Sequence, residues 1–156
     1  MFWTFVKFTY LNSTAARIQP PKLIPRHVSG QLVESKMVDY AIYLSSDKDM
    51  ATRIISTLRI QPKDSQSINQ TMYDSLRQRP IAISIETKIP DASEEDGKVQ
   101  LAIWVSAQFA RLRSLVKMST SPMTEIMTLP LLYVAGADWY ILFAIYETPS
   151  TIVSPG

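Results

Sequence analysis

Ile81-Ala-Ile-Ser-Ile-Glu-Thr-Lys88 alternates with a period of two, and a β-strand sends alternate side chains to opposite faces. Pro80 opens the run and gives a strand over 80–88. Ile81, Ile83 and Ile85 fall on one face, which reads as the core side. Ala82, Ser84, Glu86 and Lys88 fall on the other. Two small residues followed by an acid and a base leave room beside a charged pair at the strand's end. That arrangement suits a site at a sheet edge. Glu-x-Lys alone is also a common surface pair, so its meaning rests on the chain around it.

On the N-terminal side, residues 67–79 carry a helical pattern. Ser67 and Gln70 fit a capping box, Ile68, Met72 and Leu76 recur every four residues, and Arg77 and Arg79 sit in the last turn. Residues 46–58 form another helical stretch, with Met50, Ala51, Ile54, Ile55 and Leu58 at helical spacing, Ser46 and Asp47 as caps, and Pro62 beyond its end. Lys36-Met-Val-Asp-Tyr-Ala-Ile-Tyr-Leu44 reads as a strand interrupted by Asp39. Further back, Pro20, Pro21 and Pro25 make 19–30 linker-like, and Met1 to Tyr10 read as an aromatic segment or strand packing on the domain.

On the C-terminal side, residues 90–98 form an acidic loop and 98–118 the longest helix. A Ser/Thr-rich loop at 119–128 leads to strands over 129–135 and 138–147, joined at Gly136-Ala-Asp138. Trp139, Tyr140, Phe143 and Tyr146 read as sheet-packing residues, and Asp138 and Glu147 as edge charges. The tail, 148–156, carries Pro149 and Pro155 and reads as dangling. Strand, helix, helix, strand, long helix, strand, strand is the order of an α/β (α+β) domain with a mixed sheet and packed helices. The division is 1–30 extension and linker, 31–147 domain, 148–156 tail.

The 156 residues contain no cysteine, one histidine, His27, and glycines only at 30, 97, 136 and 156. Thiol nucleophiles, Cys-ligated metals, multi-histidine metal sites and glycine-rich phosphate loops are thereby excluded. Carboxylates, lysines, hydroxyls and oxygen-coordinated metals remain. A hydrophobic share of 46% with 19% charged residues suits a globular chain. The formal charge of +2 is mild, so strong nucleic-acid binding would need clustering, a homodimer or a partner domain. The first ten residues are too short and too broken by Lys7 to span a membrane, and they lack the basic start of a signal peptide. An intracellular location, nucleus or cytoplasm, is the expectation.

Asp39 lies in an otherwise apolar strand, and burying a carboxylate is costly unless it is paired or binds a metal. A salt bridge to Lys36 or a turn cap would also satisfy it. The acid at 39, Glu86-Thr-Lys88 ending a later strand, and Val99-Gln-Leu-Ala-Ile-Trp104 on the helix after it occur in an order that resembles the PD-(D/E)XK nuclease superfamily. More narrowly, Ser67 to Leu115 is similar to a group of fungal nuclease-like domains, with Ser35-Lys-Met-Val-Asp39 as their first acidic motif. Leu129-Pro-Leu-Leu-Tyr-Val-Ala-Gly136 and Asp138-Trp-Tyr resemble their closing strands, so the likeness covers about residues 30–147.

The resemblance implies a restriction-endonuclease-like, three-layer fold and a Mg²⁺- or Mn²⁺-dependent cut in nucleic acid, DNA first, with no membrane partner. It implies that Asp39, Glu86 and the Thr87 carbonyl hold the ion, which prefers a few carboxylates plus water and phosphate oxygens. Lys88 would orient or deprotonate the attacking water or steady the developing charge, and Gln100 would position water or substrate. Val38 replaces the usual proline before the first acid. The acids are 47 residues apart and converge only if their strands are neighbours.

Arg111, Arg113 and Lys117 are candidate phosphate contacts, with helix-dipole compensation as the alternative. Glu34 is a candidate extra acid or a solvated one, Trp104 core or base-stacking, and His27 inert. Two further readings stand beside the enzyme. One is a catalytically silent module of the same fold that binds nucleic acid or protein. The other is an interaction domain whose Glu-x-Lys is a surface pair, and it requires Asp39 and Glu86 to lie far apart.

Overall fold

The strand predicted over 80–88 forms as β3, Ile81–Lys88, and sits inside a mixed sheet. The computed structural model describes residues 7–26, 37–90, 93–118, 128–146 and the backbone of 151–155. His27 and Glu34 lie outside the described residues. The other strands are β1 (Phe8–Asn12), β2 (Tyr40–Leu44), β4 (Leu129–Ala135), β5 (Asp138–Tyr146) and β6 (Thr151–Pro155). The helices are α1 (Lys48–Arg59) and α2 (Glu94–Val116). The six strands lie in chain order, β1 to β6. All neighbours are antiparallel except β3 and β4, which are parallel and joined through α2. This is the mixed α+β architecture expected from the order of elements.

Local chemistry explains most boundaries. Asp47 caps α1 by accepting from the Met50 amide at 2.8 Å. The β4–β5 turn places Gly136 at φ 60° with the Pro90 ring against it, a position where a side chain is both strained and crowded. Helix α2 starts at Glu94 rather than 98, because Ser93 caps it through the Asp96 amide and Glu94, Glu95 and Asp96 complement the dipole. The acidic loop is thus partly the first turn of the helix.

Residues 67–79 are not a helix. Side chains there give the backbone other partners. The Ser67 hydroxyl accepts from the Asn69 amide, and Asn69 Nδ2 donates to the carbonyls of Leu76 and Arg79. Asn69 Oδ1 accepts from the Ile81 amide, the first of β3. Only overlapping turns form, where the amides of Leu76 and Arg77 donate to Tyr73 O and that of Arg79 to Leu76 O.

Two flanking segments also differ from expectation. Residues 13–24, read as the approach to and body of a linker, pack on the domain. Ala16, Ile18 and Leu23 join the core, Ser13 bonds the carbonyls of Val38 and Asp39, and Gln19 bonds Gln70 O. The tail read as dangling supplies β6 along β5. In both places, apolar or extended residues between prolines find an unpaired edge or surface to occupy.

Helix α2 covers one face of the sheet. Leu101, Trp104, Val105 and Phe109 meet Leu131, Tyr133, Leu142 and Ala144 in one core. Trp104 Nε1 donates to Ser84 Oγ at 3.0 Å, and Gln108 Nε2 donates to Ile81 O at 3.0 Å. So the Ser84–Glu86–Lys88 face of β3 is the one beneath the helix. Ser84 and Glu86 are buried, whereas Ile83 and Ile85 on the opposite face are only half-buried. The sequence reading had these faces reversed for Ile83 and Ile85, whereas Ile81, where the β2–β3 register shifts, is in the core as expected. The same register leaves Trp139 and Phe143 exposed rather than packed, and Tyr140 is exposed as well. Among the described residues, no helix is long and apolar enough to cross a membrane.

Candidate active site

Register brings the two acids together. Strands β2 and β3 pair Tyr40 with Ile85, so the next pair outward sets Asp39 opposite Glu86. Directly opposed residues in an antiparallel pair have Cβ atoms about 4.5–5.5 Å apart. Asp39 closes this end of the ladder with its side chain. Its Oδ2 accepts from the Thr87 amide at 2.9 Å and from Thr87 Oγ1 at 2.5 Å. The segment between β2 and β3, including α1, loops out and returns without separating the acids. An interaction domain with Asp39 and Glu86 far apart does not match this geometry.

Glu86 is 1% exposed. Lys88 Nζ lies 2.7 Å from its Oε1, and Gln100 Nε2 donates to its Oε2 at 3.2 Å. Gln100 also reaches Met37 O with Nε2 and accepts from Lys88 Nζ at 3.5 Å. One carboxamide on α2 therefore ties Glu86, Lys88 and the entry to β2 into a single cluster. Burial raises the Glu86 carboxyl above its ordinary range; the hydrogen bond from Lys88 opposes this, and the charge of Asp39 adds to it. Lys88 is raised above the usual lysine range, chiefly by its hydrogen bond to Glu86. Two carboxylates against one ammonium leave the cluster one negative charge in excess.

The family model of the PD-(D/E)XK nuclease superfamily matches residues 4–155. The chain belongs to that superfamily. No curated protein and no solved structure gave a significant match. Its mixed sheet with α2 packed on one face is consistent with the restriction-endonuclease-like core of the superfamily, although among the described residues no helix forms the third layer expected from the sequence.

In this superfamily member the donor set fits a hard divalent cation. All the candidate ligands are oxygens, as Mg²⁺ and Mn²⁺ prefer. Asp39 Oδ1 has no hydrogen-bond donor among the described residues, while its Oδ2 is fixed by Thr87. The excess negative charge and the raised Glu86 carboxyl describe a place where a cation would relieve repulsion. Among the described residues no group of three or more His, Asp or Glu side chains gathers. A two-carboxylate site completed by a main-chain carbonyl does not need one.

The basic residues late in α2 are not brought together. Arg111 is buried, with Nε donating to Ser67 O at 2.8 Å and Nη2 to the carbonyls of Ser65 and Ser67 at 2.7 and 2.6 Å. Burial lowers its pKa, and its guanidinium pins the 65–67 loop to the helix. Arg113 stacks over the Tyr146 ring at 4.9 Å. Lys117 is exposed at the helix end. At 1.5 Å per residue, Arg111 lies about 16 Å along α2 from Gln100. Trp104 is wholly buried, on its core side of the two readings.

Two residues of this neighbourhood were not singled out in the sequence. Tyr133 pairs with Glu86 across β3–β4, and its buried hydroxyl has no hydrogen-bond partner among the described residues. Gly97 lets α2 sit on that ring, since a Cβ there would clash with Tyr133 Cε2. A glycine early in a good helix former was the available signal.

Proposed function

We propose that the chain is a metal-dependent nuclease that hydrolyses phosphodiester bonds, in DNA. The observation that carries this reading is the juxtaposition of Asp39 and Glu86 across β2 and β3, with Lys88 Nζ 2.7 Å from Glu86 Oε1. Superfamily membership supports it. Asp39, Glu86 and the Thr87 carbonyl would hold Mg²⁺ or Mn²⁺. Bound there, such an ion lowers the pKa of a coordinated water and neutralises charge building on phosphate. Lys88, held protonated beside Glu86, would donate hydrogen bonds to the attacking water or to the phosphate oxygens rather than take a proton. Gln100 would keep Glu86 and Lys88 aligned, a positioning role through its bonds to both.

The test is cleavage of supercoiled plasmid with Mg²⁺ or Mn²⁺ by wild type, Glu86→Ala and Lys88→Ala. Each variant is expected to lose roughly 10²-fold or more. Equal activity in all three would point to a contaminant and sink the proposal. One observation favours the silent module instead: both Glu86 oxygens already hold protein partners in a nearly closed site. That reading predicts nucleic-acid or protein binding without metal-dependent cleavage.

A further inference from the structure

The face of the sheet opposite α2 is apolar and, among the described residues, largely exposed. Following the register across the strands, it carries Tyr10 of β1, Tyr40 and Ile42 of β2, Ile83 and Ile85 of β3, Leu132 of β4, and the alternating residues of β5. On β5 these are Trp139, Ile141, Phe143 and Ile145, exposed at 67%, 56%, 38% and 39%. Tyr10 is 76% exposed and Tyr40 37%. An aromatic side chain has about 150–250 Å² to bury, so the exposed part of this face is roughly 600–800 Å². The largest apolar patch on an ordinary monomer is about 300–600 Å². A stable interface takes about 800 Å² from each partner.

We propose that this face is a homodimer interface, the open sheets of two copies packing against each other. Area and charge both favour a second copy. Among the described strand residues, the face bears no charged side chain; Asn12, Thr87 and the tyrosine hydroxyls are its polar groups. A two-fold pairing sets the same patch against itself and so buries no unpaired charge. Twisted sheets pack face to face at about 10 Å with strands near −30°, and alternating Ile and aromatic side chains suit that spacing. Glu86, Lys88 and Gln100 lie on the covered face under α2, so pairing leaves the candidate active site outside the interface. The proposal does not depend on the nuclease reading.

Sedimentation velocity on the full chain from about 1 to 100 μM tests it. The expected species is twice the 17.7 kDa chain mass. Ile141→Arg and Trp139→Glu are expected to shift the dimer to monomer, weakening it at least tenfold, with unchanged far-UV circular dichroism. Should Ile141→Arg fail to fold, acrylamide quenching needs no disruptive change. The difference between wild type and Trp139→Phe isolates the Trp139 signal, which is expected to be shielded at high concentration and freed by dilution. A monomer throughout overturns the proposal. If Trp139 is then shielded at every dilution, the chain's own segments cover the face; if it is freely quenched, the face serves another partner, protein or lipid.

Discussion

The Glu86 carboxyl sits behind Gln100 and against Lys88, almost out of reach of solvent. Burial and the Asp39 charge leave its carboxyl raised despite Lys88. The folded chain therefore binds that proton more tightly than the unfolded chain. Its contribution to stability is most favourable below the ordinary glutamate range, and it declines as pH rises through the raised folded value. Glu86→Gln removes the charge and keeps the shape. The metal-free variant is expected to melt above wild type at neutral pH and level with it in acid, as thermal melts across pH in chelator would show. A variant melting lower at neutral pH would mean that the pair with Lys88 outweighs burial. Asp39 stands out in sequence because an acid in an apolar strand is costly to bury unpaired, whereas Glu86 and Lys88 form a common pair that only the ordered motifs around them single out. The part played by Gln100 was less accessible, since a glutamine on a helix is ordinary until its three partners are placed.

Helix α2 joins the site to the core, and its weakest local choice is Gly97. Glycine in a helix interior costs about 1 kcal/mol relative to alanine. Here Tyr133 occupies the space a methyl would need. Gly97→Ala is expected to destabilise, because overpacking costs of roughly 1–3 kcal/mol exceed the gain in helix propensity. Urea unfolding measures this, and an increase in stability would show that the Tyr133 ring moves freely. Element types were readable wherever periodicity and caps agreed, as in α1 with Asp47 and β3 after Pro80. They were unreadable at 67–79, where the apolar spacing fits a helix but Asn69 spends its amide on three backbone groups across a turn. Side-chain competition of that kind has no periodic signature.

At the scale of the molecule, the six strands of the described residues share one sheet with unlike faces, one closed by α2 and carrying the acid–lysine cluster, one apolar and largely exposed among those residues. Alternation along β3 separated Ile83 and Ile85 from Ser84, Glu86 and Lys88, yet it could not say which set the helix would cover, nor foresee the register shift that returns Ile81 to the core. Trp104 reaching Ser84 settles that in space, twenty residues away in sequence. The proposed function requires that Asp39 and Glu86 form one cation site beside Lys88. Calorimetric titration of Mn²⁺ into wild type, Asp39→Asn and Glu86→Gln tests it most directly. The predicted result is one ion bound per wild-type chain, with affinity at least tenfold weaker in either variant. No binding to wild type, or equal binding to all three, would contradict it.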